Sequence, residues 1–504
     1  MLSMSRISTR PDGTAVAFPA VRPATPRPAY GWAVIGVLCA VAIGVIATWN
    51  PQIGAGLLVA GALAIAVMRS PAMLLPILVA TPFVEMIDIG GVRITRLLAP
   101  AALLVVIVCL TRGQRIQPGP PLFWVCGYAL WALASGLWTV STDGTLTLLA
   151  SLAIALVYML AIALLVETRR DLNRMLWTLA VCSFVLSVSS ILAFLDKPFG
   201  PLGATIQEGR VQGATGDPSF FAAVQLVALP LILVLASAVS NSWLRAALYF
   251  TAVLDIAAVF STTSRGGFLQ LILVFLLLLV FPARRIFGSP TSKAIALLVI
   301  VLGGLAFFSR YSVDIAPRLE TIMSQGGGGA DQTGSGRLII WPAAWMAFEE
   351  RPFTGIGYGA FRETAIDRLY KTRNTYLGNF KVHKEEVHNA FLGSLAELGL
   401  VGLLLFIGVL ASAARTLFRI AARARRLGEY FVERVANALV IGICGWCVGS
   451  LFISTETSRP IWIVVGLSLA LPKLLREEVE DEAADDGAQA RARVSPPAST
   501  NGAP

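Results

Sequence analysis

Two arginines and one histidine are the residues of this sequence best suited to chemistry: Arg210, Arg265 and His388. Arg265 lies in FSTTSRGGFLQ, where small and hydroxyl-bearing neighbours leave room for a ligand. A guanidinium stays charged and can bind phosphate oxygens in a bidentate fork. Because two such groups on one face suit a pyrophosphate, Arg210 and Arg265 are predicted to bind an anion. The alternatives are an ordinary loop arginine at 210 and an arginine at a helix end at 265.

The two histidines of the chain are His383 and His388. His388 directly precedes Asn389 and an apolar run, and a neutral imidazole near pH 7 can take a proton from a sugar hydroxyl. The alternative is a surface histidine at the end of a helix. The two histidines are five residues apart, about 140° around a helix, so they do not share a face as a pair of metal ligands would. No metal site is predicted.

The composition is that of a membrane protein. Of 504 residues, 56% are hydrophobic and 14% are charged, against about 25% charged in soluble proteins. Continuous apolar runs approach the roughly 20 residues that a spanning helix needs. We predict an all-α polytopic membrane protein with about 12–14 transmembrane helices. The predicted spans are 31–49, 53–68, 72–87, 97–111, 122–140, 145–166, 174–195, 219–239, 243–261, 266–282, 293–309, 389–413, 435–453 and 459–472.

The polar segments divide the chain around these spans. We expect a disordered tail at 1–29, a helical membrane region at 30–309, a loop with amphipathic helices at 310–388, further membrane helices at 389–472 and a second disordered tail at 473–504. Most Lys and Arg residues of the short loops fall on one side when the N-terminus is placed inside. This bias predicts that both termini are cytoplasmic and that the 310–388 loop, Arg210 and Arg265 lie on the outer face. The net charge of +10 is therefore not read as a sign of nucleic-acid binding.

Five segments, in this order, resemble the O-antigen ligase and O-antigen polymerase superfamily of bacterial polytopic envelope glycosyltransferases. They are GRVQGATGDPSFFA at 209–222, TTSRGGF at 262–268, GRLIIWPAAWMAF at 336–348, RPFTGIGYGAF at 351–361 and HNAFLGSLAELGLVGLLLF at 388–406. The ordered set is more specific than any one segment. The helices before about residue 200 match only in their hydrophobic character.

The resemblance implies a GT-C-like membrane fold and a donor glycan carried on a polyprenyl pyrophosphate such as undecaprenyl pyrophosphate. It implies that Arg210 and Arg265 hold the donor pyrophosphate and that His388 deprotonates or positions the acceptor hydroxyl. Arg337 and Asn389 would support substrate binding. It further implies a reaction without a metal ion or other cofactor, and attack from the face opposite the leaving group predicts inversion at the anomeric carbon.

The expected function is glycan transfer to an acceptor hydroxyl at the periplasmic face of the bacterial inner membrane, as in O-antigen ligation to lipopolysaccharide. The first alternative is polymerisation of lipid-linked O-antigen or exopolysaccharide repeat units, which these segments do not separate from ligation. The second is a transporter or flippase of lipid-linked glycans, for which broken or charged helices at the bilayer midplane are expected. The partners are the lipid-linked donor, a glycan or glycolipid acceptor and membrane lipids, with no nucleic acid.

Overall fold

The computed structural model describes most of the chain after residue 67. The described residues are 61, 65, 67–85, 92–195, 210–323, 337–365 and 386–475, with short stretches at 7–9, 15–17, 88–89 and 206–207. The chain divides into two compact units, Met1–Leu63 and Ala64–Pro504. In the first unit, β1 (Ile7–Thr9) and β2 (Ala15–Ala17) pair antiparallel. The predicted span at 31–49, nearly all of the span at 53–68, and the tail beyond residue 475 lie outside the described residues.

The second unit is helical, with two short antiparallel hairpins. The hairpins pair β3 (Asp88–Ile89) with β4 (Val92–Arg93) and β5 (Ile206–Gln207) with β6 (Arg210–Val211). The helices are α1 (Leu75–Ala80), α2 (Ile94–Thr111), α3 (Pro120–Ala134), α4 (Thr142–Leu165), α5 (Arg169–Phe194), α6 (Pro218–Ala238), α7 (Ser242–Ser261), α8 (Arg265–Val280), α9 (Pro290–Met323), α10 (Arg337–Glu350), α11 (360–365), α12 (Ala390–Arg426), α13 (Tyr430–Gly449) and α14 (459–475). Short 3₁₀ turns occupy Pro71–Leu74, Thr81–Phe83, Ser135–Leu137 and Ala283–Arg285.

Seven helical segments in the described part of the chain are long and apolar enough to cross a membrane, and four shorter apolar segments accompany them. The prediction of an all-α polytopic membrane protein is therefore confirmed. Each predicted span from 72–87 onward coincides with a described helix or helix pair. Helices α9 and α12 differ in extent, because they continue to Met323 and Arg426, beyond the predicted ends at residues 309 and 413.

Helix α6 forms the centre of the bundle. The whole of its apolar window is buried inside the protein, and α5, α7, α8 and α13 surround it. A helix that is hydrophobic on all sides must be covered on all sides. The position of α6 matters for function because its first residues, Pro218 to Phe220, lie at one end of the bundle.

A kink in α12 ties the glycine-rich segment 351–361 to the bundle. Gly399 has a φ of 67° inside the helix, which breaks the regular ladder of hydrogen bonds. The carbonyls before the kink are satisfied from outside the helix: Ile356 N donates to Ala396 O (3.1 Å), Gly357 N to Glu397 O (2.9 Å) and Trp131 Nε1 to Leu398 O (3.0 Å). This pairing requires close backbone contact, which explains the glycines of the segment.

Gly399→Ala is expected to destabilise the protein much more than Gly428→Ala. Gly399 has a φ of 67° and a ψ of −169°, a combination essentially restricted to glycine, and Gly428 has a φ of 82°, so each substitution has a backbone cost. A Cβ at Gly399 would also lie 2.3 Å from the carbonyl carbon and oxygen of Phe353, whereas a Cβ at Gly428 would meet nothing within 4 Å. Thermal unfolding in detergent measures the difference, and equal losses from the two variants would contradict this account of the kink.

Helix α10 packs one face against α12 and α11. Ile340, Ala343, Ala344 and Ala347 are buried in one apolar cluster with Phe361, while Trp345 is exposed. One face of α10 is therefore buried against the protein, while the prediction of amphipathic helices in the 310–388 segment stays a prediction. This packing holds the segment around residues 386–390 in place, since Trp341 Nε1 donates to Val387 O at 3.2 Å.

Candidate active site

The N-termini of α6 and α8 meet at one end of the bundle. The side chain of Asp217 caps α6 by accepting a hydrogen bond from Phe220 N (2.8 Å), and that of Ser264 caps α8 by accepting one from Gly267 N (3.1 Å). The Ser264 hydroxyl also donates to Ser219 Oγ at 2.9 Å, which joins the two helix starts directly. Each helix N-terminus carries a partial positive charge, so this junction favours a negatively charged ligand.

Both predicted anion-binding arginines lie at this junction. Arg265 is the first residue of α8. Arg210 lies in β6, and its Nε donates to the carbonyl oxygen of Thr262 at 3.4 Å, three residues before Arg265. Both side chains are half-buried. The structure therefore brings the side chain of Arg210 to the backbone just before Arg265, although 55 positions separate the two arginines in the sequence.

A cavity of about 760 Å³ adjoins the junction. Its walls are the first half of α4, the segment 215–217 before α6, the 359–363 turn, residues 386–388 and the segment 453–459. The lining includes Asp217, Phe220 and His388. Arg210 and Arg265 are not among the described residues that line it. The cavity is large enough for a few sugar rings, and it contacts the start of α6 through Asp217 and Phe220.

His388 lies on the cavity wall in a left-handed backbone conformation. Its φ is 53° and its backbone N–H donates to Ser454 Oγ at 3.2 Å. Thr263, two residues before Arg265, has a φ of 48°; these two are the non-glycine residues with positive φ in the described part of the chain. Such conformations cost about 1–3 kcal/mol and occur preferentially at functional sites. Both fall in the segments that sequence analysis selected.

One loop connects the histidine to the arginine junction. Ser454 accepts the hydrogen bond from His388, and Phe452 packs against Gly266, where an added Cβ would lie 2.9 Å from Phe452 Cβ. The segment 450–458 therefore contacts both the start of α8 and His388. All three predicted regions, around 210, 265 and 388, lie at the same end of the bundle.

The remaining predicted site residues have different positions. Asn389 is the N-cap of α12, and its Oδ1 accepts hydrogen bonds from Phe391 N (3.1 Å) and Leu392 N (3.0 Å). This fixes the start of α12 immediately after His388. Arg337 is the first residue of α10, but its side chain lies outside the description, as does the whole of His383. The substrate-binding roles of Asn389 and Arg337 stay predictions.

The carboxylates of Glu85, Glu397 and Glu456 line the cavity and were not predicted as site residues. Arg459 Nη1 and Glu85 Oε1 form an ion pair of 2.7 Å at the cavity wall. The carboxylate of Glu397 is buried and accepts hydrogen bonds from Gly359 N (2.8 Å) and Phe361 N (3.3 Å). Glu456 is also buried and lines the cavity. A carboxylate among apolar residues is energetically costly. On this ground Glu397 in GSLAELGL and Glu456 in ISTETS could have been predicted as functional from the sequence.

Among the described residues, no group of three or more His, Cys, Asp or Glu side chains is arranged to hold a metal ion. The expectation that the reaction needs no metal stays a prediction. The positive charges that the described site does contain are those of the guanidinium groups and the two helix N-termini.

Residues 250–407 match the family described as O-antigen ligase. The matched region begins within α7 and ends within α12, so it contains Arg265, the glycine-rich segment 351–361 and His388. None of the curated proteins compared with the chain is similar to it.

Proposed function

We propose that this membrane protein transfers a glycan from a polyprenyl pyrophosphate to an acceptor hydroxyl. The match of residues 250–407 to the O-antigen ligase family supports this proposal. The family supports a glycosyltransferase-like enzyme acting on lipid-linked glycans. The observation that carries the finer proposal is the junction of two helix N-termini and two arginines beside a cavity that contains His388. A GT-C-type architecture is part of the proposal.

The arginine junction would hold the donor pyrophosphate. Each guanidinium can form two parallel hydrogen bonds to phosphate oxygens. The half-buried positions of Arg210 and Arg265 reduce screening by water, and the α6 and α8 N-termini add partial positive charge. Negative charge develops on the pyrophosphate as its bond to the sugar breaks, so preorganised positive groups lower the barrier. No metal ion is required for this neutralisation.

His388 would act on the acceptor in the adjoining cavity. The acceptor oxygen forms a new bond to the anomeric carbon while the bond from that carbon to the pyrophosphate oxygen breaks. The imidazole of His388 takes the proton of the acceptor hydroxyl, which is later released to solvent. The products are the extended glycan and the polyprenyl pyrophosphate. Attack opposite the leaving group inverts the anomeric configuration.

The charge distribution along α5 supports a periplasmic site. This helix begins at Arg169, which pairs with Glu429 at 3.3 Å, and ends at Phe194, which packs against the cluster containing Val211 next to Arg210. Its 26 residues extend about 39 Å, enough to cross the roughly 30 Å hydrocarbon core. Arginines beside Arg169 and along the end of α12 mark that end as cytoplasmic. The site would then face the periplasm of an inner-membrane protein with both termini in the cytoplasm.

Deletion of the gene in its own bacterium tests the proposal and separates its two forms. A ligase leaves long undecorated glycans on the polyprenyl carrier, because the finished chain has nowhere to go. A polymerase leaves single repeat units on the carrier. If lipid-linked glycan instead accumulates on the cytosolic leaflet, the protein acts as a flippase and the proposal is contradicted.

A further inference from the structure

Glu456 occupies a distinctive position in the cavity. It lies in the segment between α13 and α14, and its side chain is 7% exposed. Glu456 lines the same cavity as His388. Its Oε1 lies 3.7 Å from the point where a Cβ on Gly393 would be, which places the carboxyl against the first turn of α12, just after His388. The missing side chain at Gly393 leaves this part of the cavity open.

The second oxygen of Glu456 is buried and has no hydrogen-bond partner among the described residues. The hydroxyls of Tyr128, Tyr358 and Ser394 lie close to one another in the same buried region. Rings of Tyr128 and Tyr358 meet edge to face at 6.2 Å, and the charge of Glu456 acts on both tyrosines. Buried polar atoms are nearly always paired, because leaving one unpaired costs about 1–3 kcal/mol. A polar occupant that reaches Glu456 from the cavity would supply the missing partner.

Glu397 shows what a structural carboxylate looks like in the same region. Both of its oxygens accept hydrogen bonds from backbone N–H groups, those of Gly359 and Phe361. The Glu397 carboxylate therefore holds the 359–361 turn against α12. The backbone of Thr455 and Glu456 also interacts with the Glu456 carboxyl, but Glu456 Oε2 has no hydrogen-bond partner among the described residues. The two carboxylates therefore differ at this one oxygen.

Burial raises the pKa of Glu456 to about 7, and the nearby carboxylate of Glu386 contributes to the increase. Among the described residues, Glu397, Tyr128 and Tyr358 also interact with its charge. Asp217, Arg362, Glu363 and His388 line the same cavity, and Arg459, three residues along, is paired with Glu85. Burial also raises the pKa of Tyr358 well above its usual value, so its hydroxyl stays protonated. The charge of Glu456 therefore changes across neutral pH while the tyrosines beside it stay neutral.

We propose that Glu456 binds the acceptor, with its carboxylate accepting a hydrogen bond from a hydroxyl of the acceptor's terminal sugar in the cavity that contains His388. This inference rests on the proposed function and adds an acceptor subsite to it. Glu456 lines the cavity together with the hydroxyl residues Ser454 and Ser458. A sugar hydroxyl suits this group, because it can donate to the carboxylate and accept from a serine hydroxyl. A phosphate of the acceptor does not suit it, because two negative groups repel each other.

The test uses full-length protein in lipid vesicles, with the lipid-linked glycan that accumulates in cells lacking the protein as donor and the lipid fraction of the same cells as acceptor. Glu456→Gln keeps the size of the side chain and removes its charge. It is expected to raise the acceptor KM by about 10- to 100-fold while the donor KM and the unfolding temperature change little. Glu349→Gln, on the exposed surface of α10, is the matched control and should leave both constants unchanged.

The pH dependence gives a second readout that a purely structural role would not move. In wild-type protein the acceptor KM should decrease as pH rises through about 7, the pKa of Glu456, because the ionised carboxylate is the form that binds the acceptor. Glu386→Gln removes the neighbouring negative charge, so the midpoint should move to lower pH. In Glu456→Gln this transition should disappear.

Each outcome supports or overturns the inference. A wild-type acceptor KM in Glu456→Gln, or an equal rise in donor and acceptor KM, would overturn it. If Glu456→Gln does not fold, the Glu386→Gln variant provides the test. An unchanged pH midpoint of its acceptor KM would then overturn the inference. Acceptors carried on the polyprenyl lipid and on a glycolipid are tested in separate vesicles, and a loss with either one supports the subsite. Absence of transfer by the wild-type protein would contradict the proposed function itself, and with it the inference.

Discussion

Arg265→Ala is expected to reduce glycan transfer by at least about 100- to 1,000-fold, the loss typical when one preorganised group that stabilises developing charge is removed. Arg265 begins α8, beside the N-terminus of α6 and the backbone that Arg210 contacts. Without the guanidinium of Arg265, the leaving pyrophosphate is stabilised by the helix N-termini and by one arginine, Arg210. Arg210→Ala is expected to have an effect of the same order, and the double variant should be inactive. Transfer rates from lipid-linked donor measure all three.

Two comparisons separate lost chemistry from lost structure. Arg265→Lys keeps a positive charge but cannot form the bidentate fork, so it should recover part of the activity. Arg284→Ala changes an exposed arginine beyond the far end of α8 and should transfer at the wild-type rate. The donor role of Arg265 would be contradicted by near wild-type transfer in Arg265→Ala with normal expression.

Replacement of His388 should lower transfer by about 10²–10⁴-fold, the usual contribution of a general base. The choice of substitute matters because His388 has a φ of 53°. Asparagine adopts this left-handed conformation more readily than alanine, so His388→Asn removes the imidazole with less disturbance of the backbone. Donor binding should persist in His388→Asn, since the arginine junction is separate from the cavity wall that His388 occupies.

The pair of variants at 388 also distinguishes two roles of the residue. Loss of transfer in both His388→Asn and His388→Ala supports acid–base or positioning chemistry by the imidazole. Transfer near the wild-type rate in His388→Asn, with loss only in His388→Ala, would show that the backbone conformation is what matters. Survival of transfer at near wild-type rate in both would mean that the general-base role is wrong.

Hydropathy predicted the helices because a membrane span must be both long and continuously apolar. Helix α6 is the clearest example, since its sequence is predominantly apolar and the whole of its apolar window is buried. Local capping signals were also readable: Asp217-Pro218 predicts the start of α6, and Asp217 does cap it. Helix α9 was predicted too short, because residues 310–323 are more polar and hydropathy measures insertion rather than helix formation.

Only part of the candidate site could be predicted from the sequence. Arginines at 210 and 265 stood out because charge is costly near apolar runs, and His388 because histidine is rare in the chain. The kink at Gly399 could not be foreseen, since a glycine in an apolar helix more often permits close packing than breaks the helix. Glu456 was missed because its burial depends on the fold of the 450–458 segment against α12, a contact between regions 60 residues apart.

Reconstitution tests the central claim most directly. Purified protein in liposomes, supplied with glycan on a polyprenyl pyrophosphate and with the acceptor lipid, is predicted to release polyprenyl pyrophosphate and form one new glycosidic bond for each molecule released. The new bond should have the anomeric configuration opposite to that of the donor. Movement of intact lipid-linked glycan between the two leaflets, without cleavage of the bond between sugar and phosphate, would contradict the account.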